Sequence, residues 1–234
     1  MSLQIVHKVF QLIAFLFAIS IHESAHAWMA NRCGDPTARM LGRISLNPIR
    51  HIDPVGTVLL PLIGILYPNL PVIGWAKPTP VDPRNFKNQV WDDILTSVVG
   101  PISNFVVVSG AMLALVFISI TSQLGHGIVH AIPFVYPSQL DALGQQTNSL
   151  LMPISLLAYE VMVINVVLGV FNLIPVPPLD GSHVLRHFLP TNLLRIFDTV
   201  GIFALMALVF LAPGLLGGLI FPVIGIFNSI LANV

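Results

Sequence analysis

Charge is scarce in this 234-residue chain: 9% of its residues are Asp, Glu, Lys or Arg, and ten basic side chains cancel ten acidic ones. With zero net charge, nothing in the composition points to a nucleic-acid partner. Cysteine is almost absent. Cys33 stands alone, so the chain forms no internal disulfide and has no cysteine-rich metal site. No internal repeat and no low-complexity tract interrupts the sequence, and no stretch reads as an appended soluble domain. The expectation is a single membrane-embedded domain over residues 1–234.

What is present is apolar: 55% of residues are hydrophobic and mean hydropathy is +0.87. Apolar stretches at residues 9–30, 94–120, 150–174 and 199–232 each meet the roughly 20 residues needed to cross a bilayer as a helix. The last is broken at Pro213-Gly214, leaving open one kinked span or two short ones. Residues 54–75 form a shorter apolar stretch containing Pro61, Pro68 and Pro71, which disfavours a straight helix. The expected fold is an all-α polytopic membrane protein with four to six transmembrane helices and a small re-entrant or β-like segment between the first and second long spans.

Seven basic residues, Arg32 to Lys87, precede the second span, Arg186 and Arg195 precede the last, and residues 121–149 have none. By the positive-inside rule the N-terminus and residues 121–149 face outward, and residues 32–93 and 176–198 face the cytoplasm. Lys8, an apolar core and Ala25-His26-Ala27 imitate a cleavable signal peptide. Cleavage there would discard the most polar part of the first span, and the basic loop would then lie on the wrong side, so an uncleaved first span is expected.

That polar part is IHESAHAW, Ile21 to Trp28, at the end of VFQLIAFLFAIS. Ionisable groups inside a membrane are costly and are functional candidates by default. His22 and His26, four residues apart on a helix, share one face and can hold one zinc ion. Glu23 lies within reach of a water on that metal without being a ligand. This is the H-E-x-x-H arrangement of zinc hydrolases, in which the carboxylate takes a proton as water attacks a carbonyl.

A catalytic zinc usually takes three protein ligands and keeps an open position. The best candidate for the third stands in FNLIPVPPLDG, Phe171 to Gly181, where three prolines end the third span and present Asp180. Asp-Gly by itself is a common turn. However, the first and third spans run in the same direction, which puts Asp180 at a depth comparable with that of the two histidines.

At these residues the chain resembles the site-2 proteases, intramembrane zinc metalloproteases that cut transmembrane or membrane-proximal segments of other proteins. HESAH in the first span, GPISN (100–104) in the second and NLIPVPPLDG after the third match that family's motifs in order. LGRISLNPIRHIDPVGT and GWAKPTPV resemble the connecting region of the compact branch, which lacks PDZ and CBS domains. The resemblance implies His22, His26 and Asp180 as ligands of one zinc ion per chain and Glu23 as catalytic base. It also implies catalytic roles for Asn104 and Asn172, which match motif asparagines and are candidate amide donors to the oxyanion. The alternative for both is helix–helix hydrogen bonding, the reading given to Asn165.

The implied activity is hydrolysis of peptide bonds in or near transmembrane segments, as in regulated intramembrane proteolysis, at a prokaryotic plasma membrane with the site toward the cytoplasm. The partners are then the lipid bilayer and a transmembrane protein substrate. A substrate helix must unwind, and GTVLLPLIGIL (56–66) and PVIGWAKPTPV (71–81) are candidates to offer it a strand edge, with Val72 and Ile73 on that edge, the alternative being that they pack as a membrane-surface hairpin. His51 is a further candidate ligand or substrate contact, more in keeping with a loop histidine that is neither. Glu160 and His183 carry no assignment. Zinc transport and a catalytically silent membrane scaffold are the rival classes. Substrate identity and oligomeric state are not legible.

Overall fold

The computed structural model describes residues 3–67, 74–136 and 149–234, and among these every regular element is helical. Helix α1 (Leu3–Cys33) is followed by the short α2 (Thr37–Met40), a 3₁₀ turn at Pro48–Arg50, and a π-helical turn at Pro54–Leu59 that runs into α3 (Leu60–Leu66). Then come α4 (Gln89–Thr121), α5 (Gln123–Val135), α6 (Leu151–Asn172), α7 (Asp180–Arg186), α8 (Thr191–Phe210) and α9 (Pro213–Leu231). Helices α1, α4, α6, α8 and α9 are long and apolar enough to cross a membrane. The chain is therefore a multi-pass helical membrane protein.

The final apolar stretch forms two helices. Leu211 and Ala212 break it, and Pro213 opens α9 at a position where its missing N–H leaves no hydrogen bond unmade. At 20 and 19 residues, α8 and α9 are each of spanning length.

Residues 56–66 do not form a strand edge. Asp53 caps this segment, its carboxylate accepting from the N–H of Val55 (3.0 Å) and Gly56 (2.7 Å), with Pro54 at the first helical position. Pro61 is accommodated because the turn before it is π-helical, which loosens the hydrogen-bond ladder that a proline would otherwise interrupt. The far end is capped by Lys8 of α1, whose ammonium donates to the carbonyls of Gly64 and Tyr67, the latter at 3.0 Å. Residues 74–79 return in non-helical conformation; the Trp75 N–H donates to Gly56 O (3.2 Å) and the Lys77 N–H to His51 O (2.9 Å). Val72 and Ile73 lie outside the described residues.

Helices α1, α4 and α6 pack together as the centre of the bundle, with α5 folded back against α4 and α6. Within the outward-facing residues 121–149, which are not among the expected spans, α5 buries Ile128, Val129 and Ile132. With Val108 and Leu115 of α4 and Leu156 and Met162 of α6, these form the apolar core. Within this half of the bundle Glu160 is buried against His7, and the Tyr136 hydroxyl donates to its Oε2 at 3.1 Å. The buried Glu160 side chain thus has polar partners. Helices α8 and α9 are peripheral, with Gly201 and Leu231 their buried residues, and their exposed Leu, Ile and Phe side chains suit contact with lipid.

Candidate metal centre

The other half of the bundle, toward the Arg-rich connection between α1 and α4, holds the polar cluster. His22 and His26 project from one face of α1 and are buried, and their Nε2 atoms lie 3.0 Å apart. Asp180 opens α7. Its Oδ2 is 3.1 Å from His22 Nε2 and 3.4 Å from His26 Nε2, so a separation of more than 150 positions in sequence closes into one cluster. The Asp-Gly pair is not an isolated turn. Gly181 brings α7 so close to the end of α6 that a Cβ there would sit 2.2 Å from Leu173 O.

The tautomers of the two histidines follow from their partners. Asn165 Nδ2 donates to Val161 O (2.7 Å), a carbonyl that can only accept, so the Asn165 oxygen faces Asn104. Asn104 Nδ2 donates to it (2.8 Å), which leaves Asn104 Oδ1 to accept from His22 Nδ1 at 2.7 Å. His26 Nδ1 donates to the Thr96 carbonyl at 2.6 Å. Both Nε2 atoms therefore present lone pairs, and Asp180 Oδ2 is a third acceptor, buried without a hydrogen-bond donor.

With both imidazoles neutral, three acceptors converge here, an arrangement that fits a cation. Their spacings of 3.0, 3.1 and 3.4 Å approach the roughly 3.3 Å edge of a tetrahedron of N and O ligands about 2.0 Å from zinc. Two imidazoles and one carboxylate also match the ligand set of hydrolytic zinc sites.

The cluster lines a cavity of about 580 Å³. Glu23 faces the same cavity beside the three ligand candidates, and its Oε2 accepts from the Thr79 N–H (2.8 Å) and hydroxyl (2.7 Å). Asn172 also lines it, with Nδ2 donating to Leu168 O at 3.1 Å. Asn104 does not. It is fully buried, and both ends of its amide are engaged inside the bundle, so it supports His22 where a donor to substrate was expected. Asn165 joins α6 to α4, the interhelical role expected of it. His51 is also apart from the cluster. It is buried in the connecting loop with Nε2 donating to Ser45 O at 2.8 Å. His183, unassigned in sequence, lines the cavity and lies 3.5 Å from Asp93.

Sequence reasoning missed Thr79, Thr96 and Asp93. Thr79 stands inside the quoted GWAKPTPV, where a hydroxyl between two prolines was the available signal. Thr96 acts through its main chain and left none.

The sequence model of peptidase family M50 matches residues 10–212. "Putative zinc metalloprotease YwhC" of Bacillus subtilis (strain 168) is 33% identical over 179 residues, which is 76% of this chain and 68% of that protein. No solved structure matches the chain.

Proposed function

Since the chain belongs to peptidase family M50, the site-2 protease family, we propose that it is an intramembrane zinc endopeptidase that hydrolyses transmembrane or membrane-proximal segments of other membrane proteins. The observation that carries this is the convergence of His22 Nε2, His26 Nε2 and Asp180 Oδ2 beside an acidic residue that is not itself part of the cluster.

His22, His26 and Asp180 would hold the zinc. When bound, zinc polarises a carbonyl and makes water acidic enough to lose a proton near neutral pH. Glu23 accepts that proton as water attacks and returns it to the leaving amine. Asn104 and Thr96 act one step back, fixing the imidazole tautomers so that both Nε2 atoms are free to ligate. Asn172 remains the candidate amide donor to the substrate oxygen, on the strength of its place in the cavity wall.

A transmembrane substrate must unwind before it can be cut, and each backbone group stripped of its partner costs about 1–3 kcal/mol. The non-helical segment 74–79 supports a docking role here. Trp75 and Lys77 turn their N–H groups toward residues 51–57, while Ala76 and Thr79 line the cavity. An unwound substrate backbone laid beside this segment would regain partners. The abundance of arginine and lysine in residues 32–93 supports a site facing the cytoplasm. Val108, Leu115, Ile128 and Met162 fill the opposite half of the bundle, which favours hydrolysis over passage of a metal ion across it.

Glu23→Gln tests the proposal. The variant should keep one zinc per chain, while hydrolysis of a transmembrane peptide in detergent or vesicles falls by about a hundred- to ten-thousandfold. Full activity in that variant would refute the assignment of the base.

A further inference from the structure

Glu23 is the catalytic base in the reading above, and a base on a helix surface has to be aimed. A free glutamate side chain samples several rotamers, and only some bring a carboxylate oxygen to the attacking water. Among the described residues, one from outside the helix holds that side chain. Thr79 donates its N–H to Glu23 Oε2 at 2.8 Å and its hydroxyl to the same oxygen at 2.7 Å. The hydroxyl also lies 3.0 Å from the Glu23 main-chain carbonyl, but its single hydrogen serves one acceptor at a time, and Oε2 is nearer and charged.

Thr79 is itself well fixed. Pro78 and Pro80 flank it, which locks two neighbouring φ angles and biases Thr79 toward extended backbone. Pro78 O accepts from Arg43 Nη2 at 3.2 Å, the Lys77 N–H donates to His51 O at 2.9 Å, and the Asp82 N–H donates to Asp35 Oδ2 at 2.7 Å. The segment carrying Thr79 is thus tied down on both sides of it, and it forms one wall of the cavity. Two donors on a rigid wall, both directed at Oε2, leave Oε1 as the oxygen with proton-accepting capacity to spare.

We infer that Thr79 is a positioning residue for hydrolysis, whose N–H and hydroxyl anchor Glu23 Oε2 so that Oε1 is turned to the attacking water. This rests on Glu23 acting as base, and it adds a dependence of that base on the wall segment that residues 74–82 form. A donor that grips the far oxygen of a reacting carboxylate in this way is part of what holds it within the fraction of an ångström that catalysis needs.

The test compares Thr79→Val, Thr79→Ser and Glu23→Gln in the full-length zinc-loaded protein, using a transmembrane peptide substrate. Thr79→Val keeps the shape and the N–H but loses the hydroxyl. It should bind zinc one to one with an unchanged thermal transition and a KM within about twofold of the parent, while kcat falls by about ten- to a hundredfold. Thr79→Ser should restore kcat. If Thr79→Val turns over at the parental rate while Glu23→Gln is inactive, the inference is overturned and the base assignment stands. If Glu23→Gln is itself fully active, it is the base assignment that fails. Loss of zinc or of folding in Thr79→Val, or an equal loss of kcat in Thr79→Ser, would also overturn the inference, by showing that Thr79 matters for packing and not for aim.

Discussion

His22 Nδ1 lies 2.7 Å from Asn104 Oδ1, and the Asn104 amide is held in turn by Asn165, so a chain of hydrogen bonds across α1, α4 and α6 sets the tautomer of one ligand candidate. Asn104→Leu keeps the volume and removes both bonds. It should weaken zinc binding by about ten- to a hundredfold, with activity recovering as zinc is added, because outer partners of metal-bound histidines contribute on that scale. Zinc titration followed by peptide hydrolysis checks this. Unchanged zinc affinity with a depressed kcat would instead return Asn104 to contact with substrate.

Gly100 makes a harder demand on the same pair. A Cβ at this position would fall 2.4 Å from His26 Nε2 and 2.7 Å from His22 Cε1, distances at which something must move. What would move is the imidazole pair, since the backbone of α4 is packed between α1 and α6. Gly100→Ala should therefore lose stoichiometric zinc and peptidase activity, while circular dichroism shows the parental helix content. A variant with full zinc would show that the rings can shift without losing their convergence.

How much of this was legible in the chain depends on how far each feature reaches. His22, Glu23 and His26 were legible because helical periodicity fixes their relation within one turn. Asp180 was legible because the prolines before it end a span, and the direction of that span sets its depth. The helical form of residues 54–66 was not, because Pro61 reads as a breaker unless the preceding turn is known to be π-helical. Helix α5 was missed because it packs sideways onto α4 and α6, and nothing local distinguishes that from an apolar loop. The placement of Asn104 was half legible. Its helix was clear, but whether its amide faced a cavity or a neighbouring asparagine depended on the rotation of α4 against α6. The Thr79 contact with Glu23 spans 56 positions and joins a loop to a helix, a relation that no periodicity encodes.

Asp93 provides the last prediction, because it ties the ligand-bearing helix to the bundle. It is buried near the start of α4, where its Oδ2 accepts from His187 Nε2 at 2.8 Å and its Oδ1 is 3.5 Å from His183 Nδ1. His183 lies one turn beyond Asp180 in α7, and His187 follows that helix directly, so the Asp93 carboxylate grips the element that presents Asp180. A helix as short as α7 has little stability of its own and depends on such contacts for its orientation. Asp93→Ala would leave His187 without its acceptor, remove the carboxylate beside His183 and free α7 to shift, moving Asp180 while leaving His22 and His26 in place. Zinc should then bind about ten- to a hundredfold more weakly, with metal still held by the two histidines at high concentration. Peptidase activity should fall in parallel with zinc occupancy. Asp93→Glu, which keeps the charge, should recover part of both. If Asp93→Ala bound zinc as tightly as the parent and lost only kcat, the carboxylate would be acting on substrate through His183, since that histidine also faces the cavity.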